Sequence, residues 1–436
     1  MLVHTERRDG SDVELYFEQY RTVEYRVVDA ILGDVQASVT RGLGVRALCA
    51  GRMGFAYSSE LSDVGVNSVV QEALRNSRLV SPSHASLPTD PQPLAAGSWA
   101  HESLDALASE AAARLLRRVE EGVRSTSRGV SVPGSTMTIG ERRVSIASSR
   151  GIARDFRATY FSVSVLVRVG RNSQVNVSQV HHFGRDLHAF DAEGFGREAA
   201  ESAVWGLGKQ PALVGTMTVV LSPVAASQLI SILGFALSGD RLERGASFLG
   251  GAAGETLASP LFSLTDNPCL SHVVGSFPFD AEGVAGASKP LVQRGAVTAV
   301  LHNHQTAIRA GLPESTGNAV RSSYRSLPGV APSVLTVTPG DVPPEELVSG
   351  LTTGLWISRF KNLTTGFNLA RGTFLLRAEG RQILNGELGP AVSGAVVAGG
   401  FKDSLVSLDA VGCDLQYRGP VGAPSLRLRE MCVQRS

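Results

Sequence analysis

Two carboxylates, Asp280 and Glu282, have the spacing of an acid–base pair. They lie at i and i+2 in the segment SFPFDAEGV, and in an extended segment such positions share one face. Two carboxylates on one face can serve as general acid and general base. Beside a glycine, however, turn carboxylates more often accept hydrogen bonds from backbone amides or from an arginine. We therefore interpret the pair first as structural and second as chemical.

Histidine pairs are the next candidates. His302 and His304 follow the apolar run AVTAVL, and if they continue a strand, both imidazoles face one side and can approach a metal ion. No third ligand is evident nearby, so an exposed strand end is the simpler interpretation. His181 and His182 are adjacent and point to opposite faces of a strand, which makes them a poor chelate. We expect them to be a half-exposed pair at a strand end.

Signatures of nucleotide binding and hydrolysis are mostly absent. The sequence has no Gly-x-Ser-x-Gly, no Gly-x-x-x-x-Gly-Lys-Ser/Thr and no His-Glu-x-x-His. The segment GFGREA, with Gly194, Gly196 and Ala199, fits a loose dinucleotide pattern. It follows the acidic DAE stretch rather than the apolar strand that such a site requires. A glycine-rich helix entry is the better interpretation.

Composition limits the classes of function. The chain has 436 residues and a formal charge of +1, from 41 basic and 40 acidic side chains. This balance disfavours nucleic-acid binding. The N-terminal segment MLVHTERRDGSDVELYF has no apolar core, and no run is long enough to cross a membrane. The four cysteines (Cys49, Cys269, Cys413, Cys432) are scattered and indicate reduced thiols in a cytoplasmic protein.

The elements that would position these residues are segregated strands and helices. The first segment, to about residue 59, predicts antiparallel strands, as do residues 130–184. Apolar spacing predicts helices over 62–78, 103–123, 191–207 and 224–237, with a short helix at PPEELVSGL and a proline-rich loop over 80–100. The helix over 224–237 is apolar on all sides and is therefore buried. This pattern predicts an α+β fold with an N-terminal domain over 1–210 and a strand-rich C-terminal domain over 211–436.

Several segments together resemble one family, in family order. They are VELYFEQYRTVEYRV, RGLGVRALCAGRMGFAYS, TVVLSPVAASQLISILGFALSGD, SFLGGAAGETLASP, SFPFDAEGV, AVLHNHQTAIRAGLPESTGNA, FKNLTTGFNLARGTFLL and VVAGGFKDSLVSLDAVGCDL. Through them the chain is similar to the TldD/PmbA family over nearly its whole length, and within it to the TldE/PmbA type. The resemblance implies a peptidase that processes or degrades peptides, including modified precursor peptides.

The family resemblance also implies where a zinc motif would lie. TldD-like chains carry His-Glu-x-x-x-His on the helix after the TVVLSP strand, and these histidines hold zinc with a C-terminal cysteine. In this chain Ile230 and Phe235 stand at the histidine positions and Ser231 at the glutamate position. None supplies an imidazole or a carboxylate, so the site cannot hold or activate a zinc-bound water. Gly234, at the position where a zinc-bearing helix needs local distortion, is kept.

Two further sets of residues follow from the resemblance. Cys413 has roughly the location of the C-terminal cysteine, but we interpret it as a buried, small apolar residue. Asn362, Thr365, Gly366 and Arg371 match a family segment near the substrate channel, and Asp280 and Glu282 are kept as channel candidates. The glycines there could let an extended peptide pair with a strand edge, or the segment could be a hairpin that only turns.

Three functional hypotheses remain open at this stage. In the first, this chain is the zinc-less, non-catalytic subunit of a cytoplasmic heterodimer, and a TldD-like partner holds the zinc and cleaves an extended peptide. In the second, the chain is a hydrolase by itself, with its chemistry moved to His302, His304, Asp280 and Glu282. In the third, it is a homodimeric peptide-binding or regulatory protein, as the family's association with DNA gyrase suggests.

Overall fold

The fold was analysed in a computed structural model. It describes residues 10–28, 31–83, 85–89, 92–105, 107–126, 129–171, 174–250 and 253–435. The N-terminal nine residues, part of the segment used above to argue against a leader, lie outside this range, as do residues 251 and 252 of the SFLGGAAGETLASP segment. The described chain is strand-rich, with antiparallel and mixed sheets and few helices, so the predicted α+β class is confirmed.

A single antiparallel sheet dominates the first half of the chain. Its strands are β1 (Asp12–Val28), β2 (Ile31–Cys49), β3 (Arg52–Ser58), β4 (Val130–Ser148), β5 (Ala153–Arg171) and β6 (Gln174–Gly184). Their order in the sheet is β3-β2-β1-β4-β5-β6. β-Branched and aromatic residues dominate these runs and pack well on a pleated surface. The strands predicted over the first segment and over 130–184 are confirmed.

Helices cover one side of this sheet. They are α1 (Asp63–Ser77), α2 (Glu102–Asp105), α3 (Ser109–Thr126) and α4 (Ala192–Trp205). α3 and α4 cross closely, because a Cβ atom on Gly122 would lie 2.2 Å from the Glu193 carbonyl oxygen and one on Gly196 2.1 Å from the Val119 carbonyl oxygen. The GFGREA segment is therefore a glycine-rich helix entry, as predicted, and Asp191 caps it by accepting from the Gly194 amide.

The single helix predicted over 103–123 is wrong, because the structure has two helices there. The segment 103–123 was expected to be one helix, but α2 ends at Asp105 and α3 starts only at Ser109. The Leu107 carbonyl, just before α3, accepts a hydrogen bond from the Tyr25 hydroxyl at 3.3 Å, and Leu104 of α2 lies in the same core as the buried side chains of α3. A tertiary contact thus overrides the local helical spacing.

The second half contains shorter elements. Its strands are β7 (Gln210–Pro211), β8 (Gly215–Leu221), β9 (Leu264–Asp266), β10 (Lys289–Gln293), β11 (Ala296–Val297), β12 (Ala319–Val320), β13 (Gly329–Val330), β14 (Leu335–Val337), β15 (Thr353–Lys361), β16 (Phe367–Asn368), β17 (Thr373–Leu384), β18 (Glu387–Ser393), β19 (Ala395–Gly400), β20 (Leu408–Val411), β21 (Gln416–Arg418), β22 (Val421–Ala423) and β23 (Leu426–Arg435). Its helices are α5 (Pro223–Ala236), α6 (Gly239–Glu243), α7 (His304–Arg309), α8 (Pro344–Ser349) and α9 (Phe401–Val406).

These strands form a closed ring and a mixed sheet on either side of α5. Strands β15, β8, β23, β19 and β17 pair in sequence, and β17 pairs back to β15. A six-stranded sheet runs β11-β10-β9-β14-β22-β21. α5 packs against β15 and β22, and its apolar side chains share the largest core with both sheets. The helix predicted over 224–237 is confirmed, one residue earlier at each end. Its expected complete burial is wrong, because only one side packs into the core, whereas Gln228 and Ser231 are half-buried and Phe235 is 41% exposed.

Other expectations about the chain have mixed outcomes. The helices predicted at 62–78, 191–207 and PPEELVSGL are present as α1, α4 and α8. The described residues of 80–100 form no helix or strand, as expected. In the part of the chain that the structure describes, no helix is long and apolar enough to span a membrane. The domain division at 210/211 remains a prediction.

Candidate functional site

The N-terminus of α5 is fixed by a serine cap and by the ring of strands. Ser222 accepts a hydrogen bond from the Ala225 amide at 3.2 Å and donates to the Ser358 carbonyl on β15 at 2.7 Å. Pro223 occupies the first turn of the helix, where its missing N–H has no cost. The first turn of the helix is thereby fixed to the middle of β15.

The four positions predicted to correspond to a zinc motif point in different directions. Ile230 is fully buried, and Phe235 is 41% exposed, with its ring 5.4 Å from the Arg241 guanidinium carbon. The Ser231 hydroxyl donates to the Gln228 carbonyl at 2.7 Å. A Cβ atom on Gly234 would lie only 2.5 Å from a methyl of Leu335. The glycine therefore serves close packing of α5 against β14.

A cleft of about 730 Å³ opens along α5. We call it the α5 cleft. Its floor is the face of α5 that carries Ser227, Gln228 and Ser231, and its walls come from β6 (residues 179–183), α4 (Glu198, Ser202, Trp205), β15 (Trp356, Ser358, Arg359) and β21–β22 (416–421). Ser231 is the only one of the four motif positions that lines it. The Gln228 side chain accepts from the Phe360 amide at 2.7 Å and donates to the Phe360 carbonyl at 3.1 Å, which holds β15 against the helix.

Arg359 connects three walls of the α5 cleft. Its guanidinium pairs with Glu379 at 3.0 Å and donates to the Ser178 and Ser202 hydroxyls, each at 2.9 Å. It also donates to the Gln179 carbonyl at 3.0 Å. Although burial favours the protonated form of Glu379, Lys361 and Arg359 hold its pKa below the usual range. The site therefore contains fixed, paired charges.

The two histidines of β6 line the same cleft from opposite faces of the strand, as predicted. His182 stacks on Phe190 with ring centroids 4.6 Å apart, whereas His181 is exposed. Burial and the charge of Arg418 lower the pKa of His182 to about 4, and burial and Arg359 lower the pKa of His181. Both imidazoles are neutral at pH 7, so they can donate and accept hydrogen bonds without carrying charge.

Sequence reasoning missed most of the cleft. Trp356, Arg359, Tyr417 and Arg418 were not candidates, because they come from segments far apart in the chain. One signal was present in the composition: two of the three tryptophans, Trp205 and Trp356, line the cleft, with ring centroids 5.8 Å apart. Tryptophans near polar groups are frequent at binding surfaces.

The carboxylates Asp280 and Glu282 lie elsewhere, in a buried charge cluster. We define this cluster as Glu14, Arg46, Asp280, Glu282 and Arg321. Arg46 donates to Glu282 at 2.7 Å and pairs with Glu14, which also accepts from Arg321. Asp280 accepts from the amides of residues 282, 284 and 319 at 2.9–3.0 Å. The structural interpretation of the pair, with backbone amides and an arginine as partners, is confirmed.

Protonation in the charge cluster follows from these bonds. Burial raises the pKa of Asp280, and the nearby charge of Glu282 raises it further, to about 7. Burial also acts on Glu282, but Arg46 and the His304 amide hold the pKa of that carboxylate below its usual range. Glu282 is thus an ionised, fully bonded group rather than a proton donor.

His302 and His304 do not share a strand face, so that expectation is wrong. His304 is the first residue of α7, and Asn303 forms its cap by accepting from the Thr306 amide at 2.9 Å. The His302 ring bonds the Thr306 hydroxyl at 3.1 Å, whereas His304 Nε2 bonds the Ser86 hydroxyl at 2.7 Å. A capping asparagine between the two histidines turns the backbone into a helix and separates the rings.

The segment at Asn362 forms a turn that closes on itself. Asn362 has φ +55°, and its carbonyl accepts from the amides of Thr365 (3.1 Å) and Gly366 (2.7 Å). Gly366 is required because a Cβ atom there would lie 2.5 Å from the Leu375 carbonyl oxygen. Arg371 is exposed. None of these residues lines the α5 cleft, so their assignment to a substrate channel stays a prediction.

The cysteine expectation is wrong in one respect. Cys413 is exposed rather than buried. The residues before it, Val411 and Gly412, take the buried positions, and the Cys413 amide donates to the Val342 carbonyl at 2.9 Å. No group of three or more histidine, cysteine, aspartate or glutamate side chains within the described ranges is arranged to hold a metal ion. The residues on α5 do not fit zinc either, since Ile230, Ser231 and Phe235 offer no nitrogen, sulfur or carboxylate ligand.

Comparisons with known proteins agree on one family. The profile of the PmbA/TldA metallopeptidase C-terminal domain matches residues 214–435. Domain 1 of the same family matches residues 13–77, and its central domain matches residues 102–207.

Curated relatives carry metalloprotease names. A metalloprotease of Methanothermobacter thermautotrophicus is 28% identical, over 95% of this chain and 93% of the relative. A metalloprotease TldD homolog of Haemophilus influenzae is 25% identical, over 96% of this chain and 92% of the relative. Metalloprotease PmbA of Escherichia coli O157:H7 is 24% identical, over 92% of this chain and 87% of the relative. Both TldD-type and PmbA-type proteins are thus similar over most of their length.

Solved structures share the fold. A candidate modulator of a DNA gyrase from Thermotoga maritima superposes with a TM-score of 0.90 at 22% identity, covering 98% of this chain and 96% of the other. TldE from Thermococcus kodakarensis superposes with a TM-score of 0.88 at 20% identity, covering 97% of this chain and 96% of the other.

Proposed function

Because this chain belongs to the PmbA/TldD family of metallopeptidases, we propose that it is the zinc-less subunit of a two-chain peptidase. The observation that carries the proposal is the chemistry of α5. Ile230 and Phe235 stand at the histidine positions of a zinc motif and Ser231 at the glutamate position, and none can bind the metal or accept a proton from water. We assign the metal and the hydrolytic chemistry to a TldD-like partner, which together with this chain forms a heterodimer.

In this proposal the α5 cleft holds part of an extended peptide. Strand β6 lines the cleft, and among the described residues it pairs only with β5. An extended peptide can add to such an edge through main-chain hydrogen bonds. Trp205 and Trp356 offer apolar surface for side chains, and the neutral His181 and His182 offer hydrogen bonds. Arg359 holds the walls at a fixed separation.

Two alternatives have less support. A hydrolase that works alone would need His302, His304 and the carboxylates Asp280 and Glu282 to converge. Both rings bond hydroxyls of other residues, and Glu282 is saturated by Arg46 and the His304 amide. A regulatory, homodimeric peptide-binding protein remains compatible with the α5 cleft but leaves the family's peptidase chemistry without a use.

The subunit proposal is tested with the purified chain, alone and with a TldD-like partner encoded in the same genome. We expect no zinc at stoichiometric level and no peptide cleavage from the chain alone, and cleavage of an unfolded model protein by the mixture. Zinc-dependent hydrolysis by the isolated chain would overturn the assignment. Absence of any complex with the partner would overturn the heterodimer.

The role of the cleft is tested in that mixture. Arg359→Met removes the bonds to Glu379, Ser178 and Ser202 and should raise KM several-fold with little change in kcat, because it affects binding rather than the reacting bond. Arg371→Met, at an exposed position outside the cleft, is the matched control. A change in kcat alone would place Arg359 with the chemistry instead.

We further propose a cytoplasmic location, since all described cysteines are free and disulfides are rare in that compartment.

A further inference from the structure

Apolar side chains from four separate elements line the α5 cleft. They are Pro223 and Val224 from the first turn of α5, Pro420 and Val421 at the start of β22, Trp205 from α4 and Trp356 from β15. Val224 and Trp356 are half-buried, and Trp205 is 40% exposed. Covering such surface removes it from water and therefore favours a ligand with apolar groups.

The charged side chains of the lining already have partners within the chain. Besides the two histidines, the acidic and basic residues that line the cleft are Glu198, Arg359 and Arg418. Arg418 pairs with Glu198 at 3.3 Å, and Arg359 pairs with Glu379 at 3.0 Å. A charged group of a ligand would therefore lose its water without gaining a free counter-charge, which is costly.

The histidines show how the cleft treats a positive charge. Burial, together with the charge of Arg418, lowers the pKa of His182 to about 4, and burial and Arg359 lower the pKa of His181. Lys361 adds a further positive charge behind Arg359, since it pairs with the same Glu379 at 2.6 Å. An ammonium group brought in by a ligand would meet the same burial and the same repulsion.

We propose that the α5 cleft selects peptide segments with large apolar side chains and rejects segments with basic ones, and that Val224 is a specificity-determining residue. This inference rests on the proposed role of the cleft in holding peptide and names the class of peptide. Large apolar side chains are mostly buried in folded proteins, so such segments become accessible in unfolded chains and in short linear peptides.

The open edge of β6 determines which side chains of the peptide are selected together. Arg359 donates to the Gln179 carbonyl at 3.0 Å, so this carbonyl points away from β5. By the two-residue period of a strand, the backbone groups of His181 and Phe183 then point outward as well. A peptide that adds to this edge continues the pleat, and its residues i and i+2 face the same side. Two apolar residues at this spacing should therefore contact the cleft together.

The preference is measured as binding to the isolated chain, without any cleavage. Short, fluorescently labelled peptides share a frame of glycine, serine and threonine and differ only at i and i+2, which carry leucine, aspartate or lysine. Anisotropy titrations should give a Kd for the leucine peptide at least about tenfold below that for the lysine peptide, with the aspartate peptide between them. Equal Kd values, or tighter binding of the lysine peptide, would overturn the proposal.

A carboxylate at position 224 should change this preference. Val224 is the second residue of α5, and an acidic residue in the first turn of a helix is favourable, so Val224→Asp should fold. The new carboxylate supplies the counter-charge that the wild type lacks. The Kd of the lysine peptide divided by that of the leucine peptide should therefore fall at least about tenfold.

Two control variants separate charge from other effects. Val224→Asn removes the same apolar surface without adding charge, and should weaken binding of the leucine peptide without strengthening that of the lysine peptide. Val64→Asp is the matched control, because Val64 is likewise the second residue of a serine-capped helix, α1, and is 79% exposed. It should leave the ratio of Kd values unchanged. An unchanged ratio in Val224→Asp would overturn the role of Val224.

The outcome is separate from that of the subunit proposal. If the isolated chain binds none of the peptides, the inference is overturned, whereas zinc content and cleavage by the mixture still decide where the catalysis lies. If the isolated chain hydrolyses peptides with zinc, the subunit proposal falls, and the titrations still measure the preference of the cleft. Each proposal can therefore fail while the other holds.

Discussion

The α5 cleft and the buried charge cluster each bring arginines and carboxylates together, one near β6 and the other near β1. In the charge cluster every charged group is enclosed: Arg46 lies between Glu14 and Glu282, and Asp280 accepts from backbone amides on two segments. In the cleft Arg359 is paired as well, but neutral imidazoles, hydroxyls and tryptophans border an open volume of about 730 Å³.

The difference shows that residue type alone does not identify a site. A carboxylate pair at i and i+2 is a reasonable sequence candidate for acid–base chemistry, yet Asp280 and Glu282 use their hydrogen-bonding capacity on the fold. The cleft residues keep donors, acceptors and apolar surface accessible. Access and unused bonding capacity, rather than the presence of charge, distinguish a place that can bind a ligand from one that stabilises the chain.

The largest effect is expected in the charge cluster. Glu282→Ala leaves Arg46 short of a buried partner, and loss of one member of a buried pair costs about 3–5 kcal/mol in the free energy of unfolding. Chemical denaturation of the variant and of the wild type measures it. Arg26→Ala, which removes an exposed pair with Glu24, should cost less than about 1 kcal/mol. Equal losses would mean that the cluster is not structural.

A smaller, pH-dependent effect is expected at His182 in the cleft. Its pKa is about 4 in the fold against roughly 6.5 in the unfolded chain. Between these values only the unfolded chain binds the proton, so the free energy of unfolding falls as the pH drops from about 6.5 to 4, by up to about 3 kcal/mol. In His182→Phe this part of the pH dependence should vanish. Denaturation curves from pH 4 to 7 compare the two, and parallel profiles would contradict the lowered pKa.

Packing beneath the cleft gives the third prediction. Gly234→Ala places a methyl 2.5 Å from Leu335 and 2.9 Å from Pro332, and overpacking of this kind costs about 1–3 kcal/mol. Thermal or chemical unfolding should show the loss. Gly329→Ala, with open space at its Cβ position, should be close to neutral. A neutral Gly234→Ala would mean that α5 can shift from β14, which would weaken the case that this glycine is kept for packing.

The smallest effect is expected at Ser231. Its hydroxyl bonds only the Gln228 carbonyl on the same helix, so Ser231→Ala should change the free energy of unfolding by no more than about 0.5 kcal/mol. In the complex with a TldD-like chain, kcat/KM for peptide cleavage should stay within about threefold of the wild type. A fall of a hundredfold or more would show that this position still takes part in the reaction.

Local patterns predicted the elements well. The apolar spacing placed α1, α4 and α5 within two residues. In the structure their first turns are capped by Ser62, Asp191 and Ser222, which shows that a helix boundary depends on a few neighbouring side chains. The same local logic failed at His302 and His304, where the cap at Asn303 starts a helix, and ahead of Ser109, where Leu107 bonds Tyr25 and lies outside both α2 and α3. Cys413 was misjudged because burial depends on residues far away in sequence.

The sequence by itself determined the fold class and the family, since each depends on the identity and spacing of nearby residues. Only the tertiary structure decided that Asp280 and Glu282 are structural and that the walls of the α5 cleft come from β6, α4, β15 and β21. The physical reason is that these properties depend on which distant segments meet. Burial, pKa and free bonding capacity are set by that meeting and not by any single stretch of the chain.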